Sequence, residues 1–386
     1  MIPYGKQEIS QSDIDAVVEV LKSDFLTQGP QVPLFETTVA AKVGARHAVA
    51  VNSATSALHI ACLSLGLKPG DWLWTSPITF VASANCGVYC GAQIDFVDID
   101  AKTYNLCPKA LEAKLKDAEK KQRLPKVLVA VHLCGQPCDM ESIYTLSKSY
   151  GFHVIEDASH AIGGMYKGKY IGDCRYSDIT VFSFHPVKII TTAEGGMALT
   201  NSDQLAAKMN LLRTHGITRD ENLMTGDSEG PWYYEQIDVG FNYRMTDLQA
   251  ALGISQMERL DTYVGLRHRL AKRYEKLLKE LPITTPWQHS EGYSAMHLYV
   301  IRLRLGEIAK SHREVFEALR QGGIGVNLHY IPVHAQPFYK KSGVAYENLS
   351  QAENYYKEAI SLPLYPGMTF EEQDSVVLTL RKVLQK

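Results

Sequence analysis

The strongest constraint on this chain is an alternation. Seven short apolar runs, HAVAVN, WLWTSP, IDFVDI, KVLVAVHL, HVIED, DITVFSF and GGMALTN, follow one another between residues 47 and 201. Helical stretches lie between several of them, such as SATSALHIACLSLGL and ESIYTLSKSYG. A strand that is apolar throughout must be covered on both faces, and helices in its connections supply the cover. The pattern predicts an α/β protein built on a mostly parallel, seven-stranded sheet.

The flanks carry different patterns. Residues 12–22 read as a helix with Ile14, Val17, Val18 and Leu21 on one face and a capping box of Ser12 with Asp15. A turn-rich stretch, LMTGDSEGPWYYEQ, occupies residues 223–236, and residues 246–281 read as one long helix. HLYVIRL and IGVNLHYIP are strand candidates beyond it, with EVFEALRQGG a helix between them. The expected division is a large α/β domain over 1–250 and a linking helix with a small α+β domain over 251–386.

Charge narrows the function classes. With 40 Lys plus Arg against 42 Asp plus Glu, nothing attracts nucleic acid or an anionic membrane. The opening MIPYGKQEIS has no apolar signal core and no apolar run is of spanning length, so the expected location is the cytoplasm. The seven cysteines are scattered, mostly in apolar segments, and read as free buried thiols. Cys134 and Cys138, with His132 nearby, have a spacing unusual for zinc and no second Cys/His pair follows, so no metal is expected.

Three segments carry chemistry. In VAVNSATSALHI a strand runs through small residues into a helix, which places Ala54 and Thr55 where an anion can approach a helix N-terminus. The plain alternative is an N-cap by Ser53 or Thr55. In HVIEDASHA a strand delivers Asp157 at its C-terminal end, where open α/β sheets bind ligands. A carboxylate there can pair with a protonated pyridine nitrogen; His160 follows in the next turn. In TVFSFHPVKIITTAEGG, Lys188 is set among apolar residues, where desolvation and nearby cations would favour the neutral amine that imine formation requires. Ser183 can give a hydroxyl to a phosphate.

LTQGP, NSATSAL, ITFVASAN, EDASHA, SFHPVKIITTAEGG, LRTHG, FNYRMTDLQAALG and HYIPVH together resemble the DegT/DnrJ/EryC1 sugar aminotransferases, pyridoxal 5′-phosphate (PLP) enzymes of fold type I. The resemblance runs nearly end to end. It implies that Lys188 is the Schiff-base lysine, that Asp157 pairs with the pyridine nitrogen, and that His160 lies near the phenolic oxygen. Phe80 would cover the ring; Ala54, Thr55 and Ser183 would hold the phosphate. Asn242 would reach the cofactor phosphate of a neighbouring subunit, making a homodimer with shared sites. Tyr4, Asp24, Phe25, Leu26, Thr27, Asn327, Leu328, His329 and Tyr330 would line the substrate side, with Ala54, Ser183 and Asn242.

Many members of the wider group have Gln in place of His160. Here the wording is similar to the branch serving pseudaminic acid synthesis. That branch implies L-glutamate as donor and a UDP-linked 4-keto-6-deoxy-N-acetylhexosamine as acceptor. Alternatives are transaminases of UDP-4-keto-arabinose or of the GDP-perosamine type, or a PLP-fold regulator without turnover. Dehydratase relatives carry His at the lysine position; the presence of Lys188 implies transamination.

Overall fold

A computed structural model describes residues 1–226, 228–341, 343–344 and 346–385. Asp227, within the turn-rich stretch, and three residues of the C-terminal part lie outside this range.

All seven apolar runs form strands of one sheet: β1 (His47–Val51), β2 (Trp72–Thr75), β3 (Gln93–Phe96), β4 (Val127–Val131), β5 (His153–Asp157), β6 (Ile179–Ser183) and β7 (Gly196–Thr200). Their order is β1-β7-β6-β5-β4-β2-β3. β2 to β6 pair in parallel, while β7 runs antiparallel between β1 and β6.

Successive side chains point to opposite faces, and both faces are packed. Val49, Val51, Val181 and Ala198 belong to a core with helices α3 (Ala54–Ser64), α4 (Ala82–Tyr89) and α7 (Asp203–Arg213). Ala50, Phe182, Met197 and Leu199 belong to another, with α2 (Gln31–Val43) and α8 (Asp247–Met257). Leu128, Ala130 and Val154 pack with α5 (Pro108–Lys120) and α6 (Met140–Tyr150).

The C-terminal part has its own core, formed by residues from Leu270 to Leu384 around β8 (Tyr299–Leu303). β8 lies between the short strand Ile283–Thr284 and Ala359–Leu362. The N-terminal strand Ile2–Pro3 pairs with Ile324–Gly325, which carries Tyr4 across to that side.

Four details differ from the sequence reading. Helix α1 spans Gln11–Leu21 and is capped by Ser10 and Asp13, not by Ser12 and Asp15. Its face also differs: Asp13 and Val20 are buried, while Ile14 and Leu21 are exposed. The reason is polar. The Asp13 carboxylate accepts from Ser10 N–H at 2.8 Å and Gln256 Nε2 at 2.8 Å and pairs with Arg259. These bonds compensate a buried charge and set how the helix sits.

The expected long helix is broken into α8 and α9 (Leu260–Leu277), and at the break Arg259 turns its guanidinium onto Asp13. IGVNLHYIP is a strand only at Ile324–Gly325. Beyond a bridge from Asn327 to Ser361, side-chain bonds replace the ladder: His329 Nδ1 meets Ser361 Oγ at 2.7 Å and Tyr355 Oη donates to the His329 carbonyl at 2.7 Å. Among the described residues no helix is long and apolar enough to cross a membrane.

Candidate active site

The site lies at one edge of the sheet, because three strands end or begin there. β1 runs up to Val51, β6 to Ser183, and β7 starts at Gly196, which stands in register with both. β5 ends beside them at Asp157, opposite Val181. Above this edge is a cavity of about 590 Å³, within the usual range for small-molecule sites. It brings together Tyr4, Ala54, Thr55, Phe80, Asp157, His160, Ser183, Lys188 and Asn327 through Tyr330.

The phosphate turn is built by α3. Ser53 is its N-cap and its hydroxyl takes the N–H of Ser56 at 3.1 Å. Ala54 and Thr55, in the first turn, have no carbonyl within the helix to bind. The plain alternative is thus realised, since Ser53 caps the helix, and the two following amides are without a helical partner. Gly196 lets the turn come this close. A Cβ on it would lie 2.4 Å from the Ala54 nitrogen and 2.6 Å from the Ser53 oxygen.

Asp157 is held at both oxygens. Ser83 Oγ donates to Oδ2 at 2.6 Å, and Ser159 donates to Oδ1 through its hydroxyl at 2.6 Å and its N–H at 3.1 Å. The carboxylate is buried yet satisfied, as a buried charge must be. Neither serine was singled out in the sequence; Ser159 lies in the same motif two residues after the aspartate, and Ser83 is hidden in an ordinary helical pattern.

Lys188 follows a tight turn in which its N–H bonds the His185 carbonyl at 2.9 Å. Removal from bulk water pulls its amine from the usual value down to about 8, and the Asp157 carboxylate pulls the other way. The nearby cations expected from the sequence are absent among the groups that shift it: desolvation alone lowers this amine.

The surrounding imidazoles are neutral. Burial, with Lys188 beside it, holds His160 well below the usual histidine range. Its Nδ1 accepts from Cys134 N–H at 3.2 Å, so the proton is on Nε2, which donates to Tyr330 Oη at 3.1 Å. His329 is pushed down to about 3 by burial and Lys188. His297, which the sequence offered only as the start of a strand, also lines the cavity; its ring centre is 4.4 Å from that of His160. Nothing in its sequence neighbourhood marks it. Phe80 is largely exposed at the mouth, with its ring centre 6.3 Å from that of Tyr330.

Five expected residues lie outside this cavity. Asp24, Phe25, Leu26 and Thr27 are exposed, with Leu26 and Thr27 bonded to the start of α8. Asn242 is exposed, next to a segment bonded to the end of β1: Asn52 N–H bonds the Tyr243 carbonyl at 2.8 Å. His132 donates through Nε2 to Glu156 at 2.7 Å and accepts Cys138 N–H at Nδ1.

These residues fit PLP: a covalent anchor at Lys188, a fixed carboxylate at Asp157, and a helix N-terminus that Gly196 leaves open. Fold and cavity together define a PLP-dependent aminotransferase of fold type I. Residues 7–381 match the DegT/DnrJ/EryC1/StrS aminotransferase family, and the chain belongs to it. It is 40% identical to the spore coat polysaccharide biosynthesis protein SpsC of Bacillus subtilis, over 100% of this chain and 97% of that one. It is 39% identical to a Campylobacter jejuni UDP-4-amino-4,6-dideoxy-N-acetyl-beta-L-altrosamine transaminase, over 100% of this chain and 98% of that one. The structure of Helicobacter pylori PseC, an aminotransferase of pseudaminic acid biosynthesis, superimposes with a TM-score of 0.90 at 31% identity over 99% of both chains. Solved relatives exist in PLP and pyridoxamine phosphate forms. The chain is thus a sugar aminotransferase that uses PLP, not a regulator without turnover.

Two outcomes follow. Gly196→Ala forces the turn away from the sheet; overpacking of about 1–3 kcal/mol corresponds to roughly tenfold weaker cofactor retention, measured as bound PLP after dialysis. Undiminished retention would contradict the cradle. In cofactor-free protein, the rate at which Lys188 captures added PLP should rise with pH through a midpoint near 8, followed by visible absorbance. The native lysine gives up its proton at lower pH than the unfolded chain, so this group adds stability as pH rises from about 8 towards its usual range. A capture midpoint above 10 would refute the desolvated amine.

Proposed function

We propose that this sugar aminotransferase moves the amino group of L-glutamate to C4 of a UDP-linked 4-keto-6-deoxy-N-acetylhexosamine. The product is UDP-4-amino-4,6-dideoxy-N-acetyl-β-L-altrosamine, an intermediate on the way to pseudaminic acid. The observation that carries the sugar assignment is the end-to-end 39% identity to the Campylobacter jejuni transaminase of that name. The cavity suits such an acceptor. Apart from Asp157, Lys188, Glu194 and His185, its polar lining is uncharged: serines, threonines, tyrosines, Asn327 and the neutral imidazoles of His160, His297 and His329. Such groups bond sugar hydroxyls and an N-acetyl group without fixing a net charge.

Bound PLP supplies a carbonyl that exchanges amino groups and a ring that spreads negative charge from the reacting carbon. Asp157, fixed by Ser83 and Ser159, is placed to hold a proton on the ring nitrogen. Tyr330 Oη, which accepts from His160 Nε2, keeps its own proton to donate towards the cofactor. Lys188 Nζ would hold the cofactor, and as a free amine it would be close enough to neutral at physiological pH to take a proton from one carbon and return it to another. Phe80 covers the mouth and limits water.

A homodimer completes this reading. Asn242 and the Asp24–Thr27 segment lie outside their own chain's cavity, which supports a role in the neighbour's site. Exposed Ile14, Leu21, Phe25, Leu26, Leu34 and Val239 leave apolar surface for a partner to cover.

The 40% identity to a spore coat polysaccharide protein favours a second reading, in which the acceptor is another nucleotide-linked 4-keto sugar.

With L-glutamate, the visible band of the holoenzyme should give way to that of the pyridoxamine form. With the 4-keto product of a UDP-N-acetylglucosamine 5-inverting 4,6-dehydratase it should return, and product NMR should place an amine at C4 in the altro configuration. Turnover only with UDP-4-keto-arabinose or a GDP-linked keto sugar would overturn the assignment. Mixing Lys188→Ala with Asn242→Ala chains should restore activity above either parent, because one of the two shared sites is then intact. No recovery in verified mixed dimers would rule out sharing through Asn242.

A further inference from the structure

Three of the seven cysteines, Cys62, Cys86 and Cys90, meet in one place. On α3, His59 and Cys62 are three residues apart and so share a face. On α4, Cys86 and the C-cap Cys90 are four apart and share another. These faces pack on each other: the His59 ring meets the Tyr89 ring edge-on with centres 5.4 Å apart. All three thiols belong to one buried core cluster, with Cys62 beside Cys86 and Cys90, and Cys90 beside His59. His59 uses Nδ1 for Tyr243 Oη at 3.1 Å, which leaves Nε2 for the thiol.

The three thiols are not equivalent. Cys62 and Cys86 are sealed, and Cys90 lies closest to the surface. Cys86 donates to the Ser83 carbonyl at 3.3 Å and is thereby engaged. Contacts from Cys62 and His59 pull Cys90 from the usual thiol range down to about 6. Elsewhere burial does the opposite and pushes Cys134 and Cys174 up to about 12. A thiolate flanked by an imidazole and a second thiol is the arrangement of a reactive pair, whereas apolar burial alone makes a cysteine inert.

We propose that Cys90 is a hydroperoxide-reactive thiol and Cys62 its resolving partner, the two forming a disulfide that ties α3 to α4. In the first step the Cys90 thiolate attacks the terminal oxygen of a hydroperoxide. The O–O bond breaks, sulfur is oxidised by two electrons to a sulfenic acid, and the alkoxide or hydroxide leaves and takes a solvent proton. In the second, the Cys62 sulfur attacks Cys90 sulfur; the S–S bond forms, the S–O bond breaks, and the hydroxyl leaves with the Cys62 proton as water. The bond would join two helices whose first turns serve the cavity: α3 begins with Ala54 and Thr55, and α4 carries Ser83, which donates to Asp157. The inference does not depend on which sugar is the acceptor.

The test uses the PLP-loaded wild-type enzyme with stoichiometric hydrogen peroxide, followed by intact mass and non-reducing peptide mapping. The expected result is a mass lower by two hydrogens, a single Cys62–Cys90 crosslinked peptide, and full reversal by dithiothreitol. In Cys62→Ala the sulfenic acid should persist on Cys90 and be trapped by dimedone, while wild type gives no such adduct. Cys90→Ser should leave Cys62 reduced. The proposal is overturned if wild type retains both thiols under this treatment, if the crosslink joins Cys62 to Cys86, or if Cys62 in Cys90→Ser oxidises at the wild-type rate. The wild-type map stands even where a variant folds poorly, and retention of the PLP absorbance reports that each variant is native.

Discussion

A missing side chain at Gly196 sets the geometry on which everything else rests. β7 enters the sheet antiparallel, between β1 and β6, so its first residue stands at the edge where those strands end. Any Cβ there would collide with the backbone of Ser53 and Ala54. Because none is present, the N-terminus of α3 can settle against the sheet. Its first amides then share a cavity with Ser183, from the neighbouring strand, and with Lys188 five residues further on. The helix N-terminus and the buried lysine are thus brought into one cavity beside a single backbone contact.

The electrostatics of the cavity follow from burial. Asp157 stays a satisfied acceptor because two serines donate to it from different elements, Ser83 in α4 and Ser159 in the loop after β5. His160, His297 and His329, held down by burial, are neutral, and for His160 the backbone N–H of Cys134 decides which nitrogen carries the proton. Lys188 is left as the amine closest to titration at physiological pH. A lysine on the surface would be charged and unreactive; the same residue under desolvation is a nucleophile and a proton carrier.

Much of this was legible in the chain itself. Apolar runs of five or so residues can be buried only as strands of a covered sheet, so all seven could be read without coordinates. Asp157 and Lys188 could be singled out because one ends a strand and the other follows one, with neighbours that make little sense on a surface. The details that escaped depend on partners far away in sequence. Asp13 reads as polar surface, yet Arg259 and Gln256 make it a buried cap and turn Ile14 outward. IGVNLHYIP has strand composition, but Ser361 and Tyr355 bind His329 and divert the chain into the cavity. His297 carries no local mark, and Ser83, though inside ITFVASAN, is not distinguished there from its neighbours.

The sequence by itself determined the α/β class, the strand inventory and, through its motifs, the PLP chemistry, because periodicity and strand-end motifs are local properties. Tertiary structure decided which residues share the cavity, the tautomer of His160, the depressed Lys188 amine, the placing of Asn242 outside its own chain's site, and the meeting of Cys62, Cys86 and Cys90. These depend on distances between elements distant along the chain, and burial and hydrogen-bond partners exist only once those elements pack.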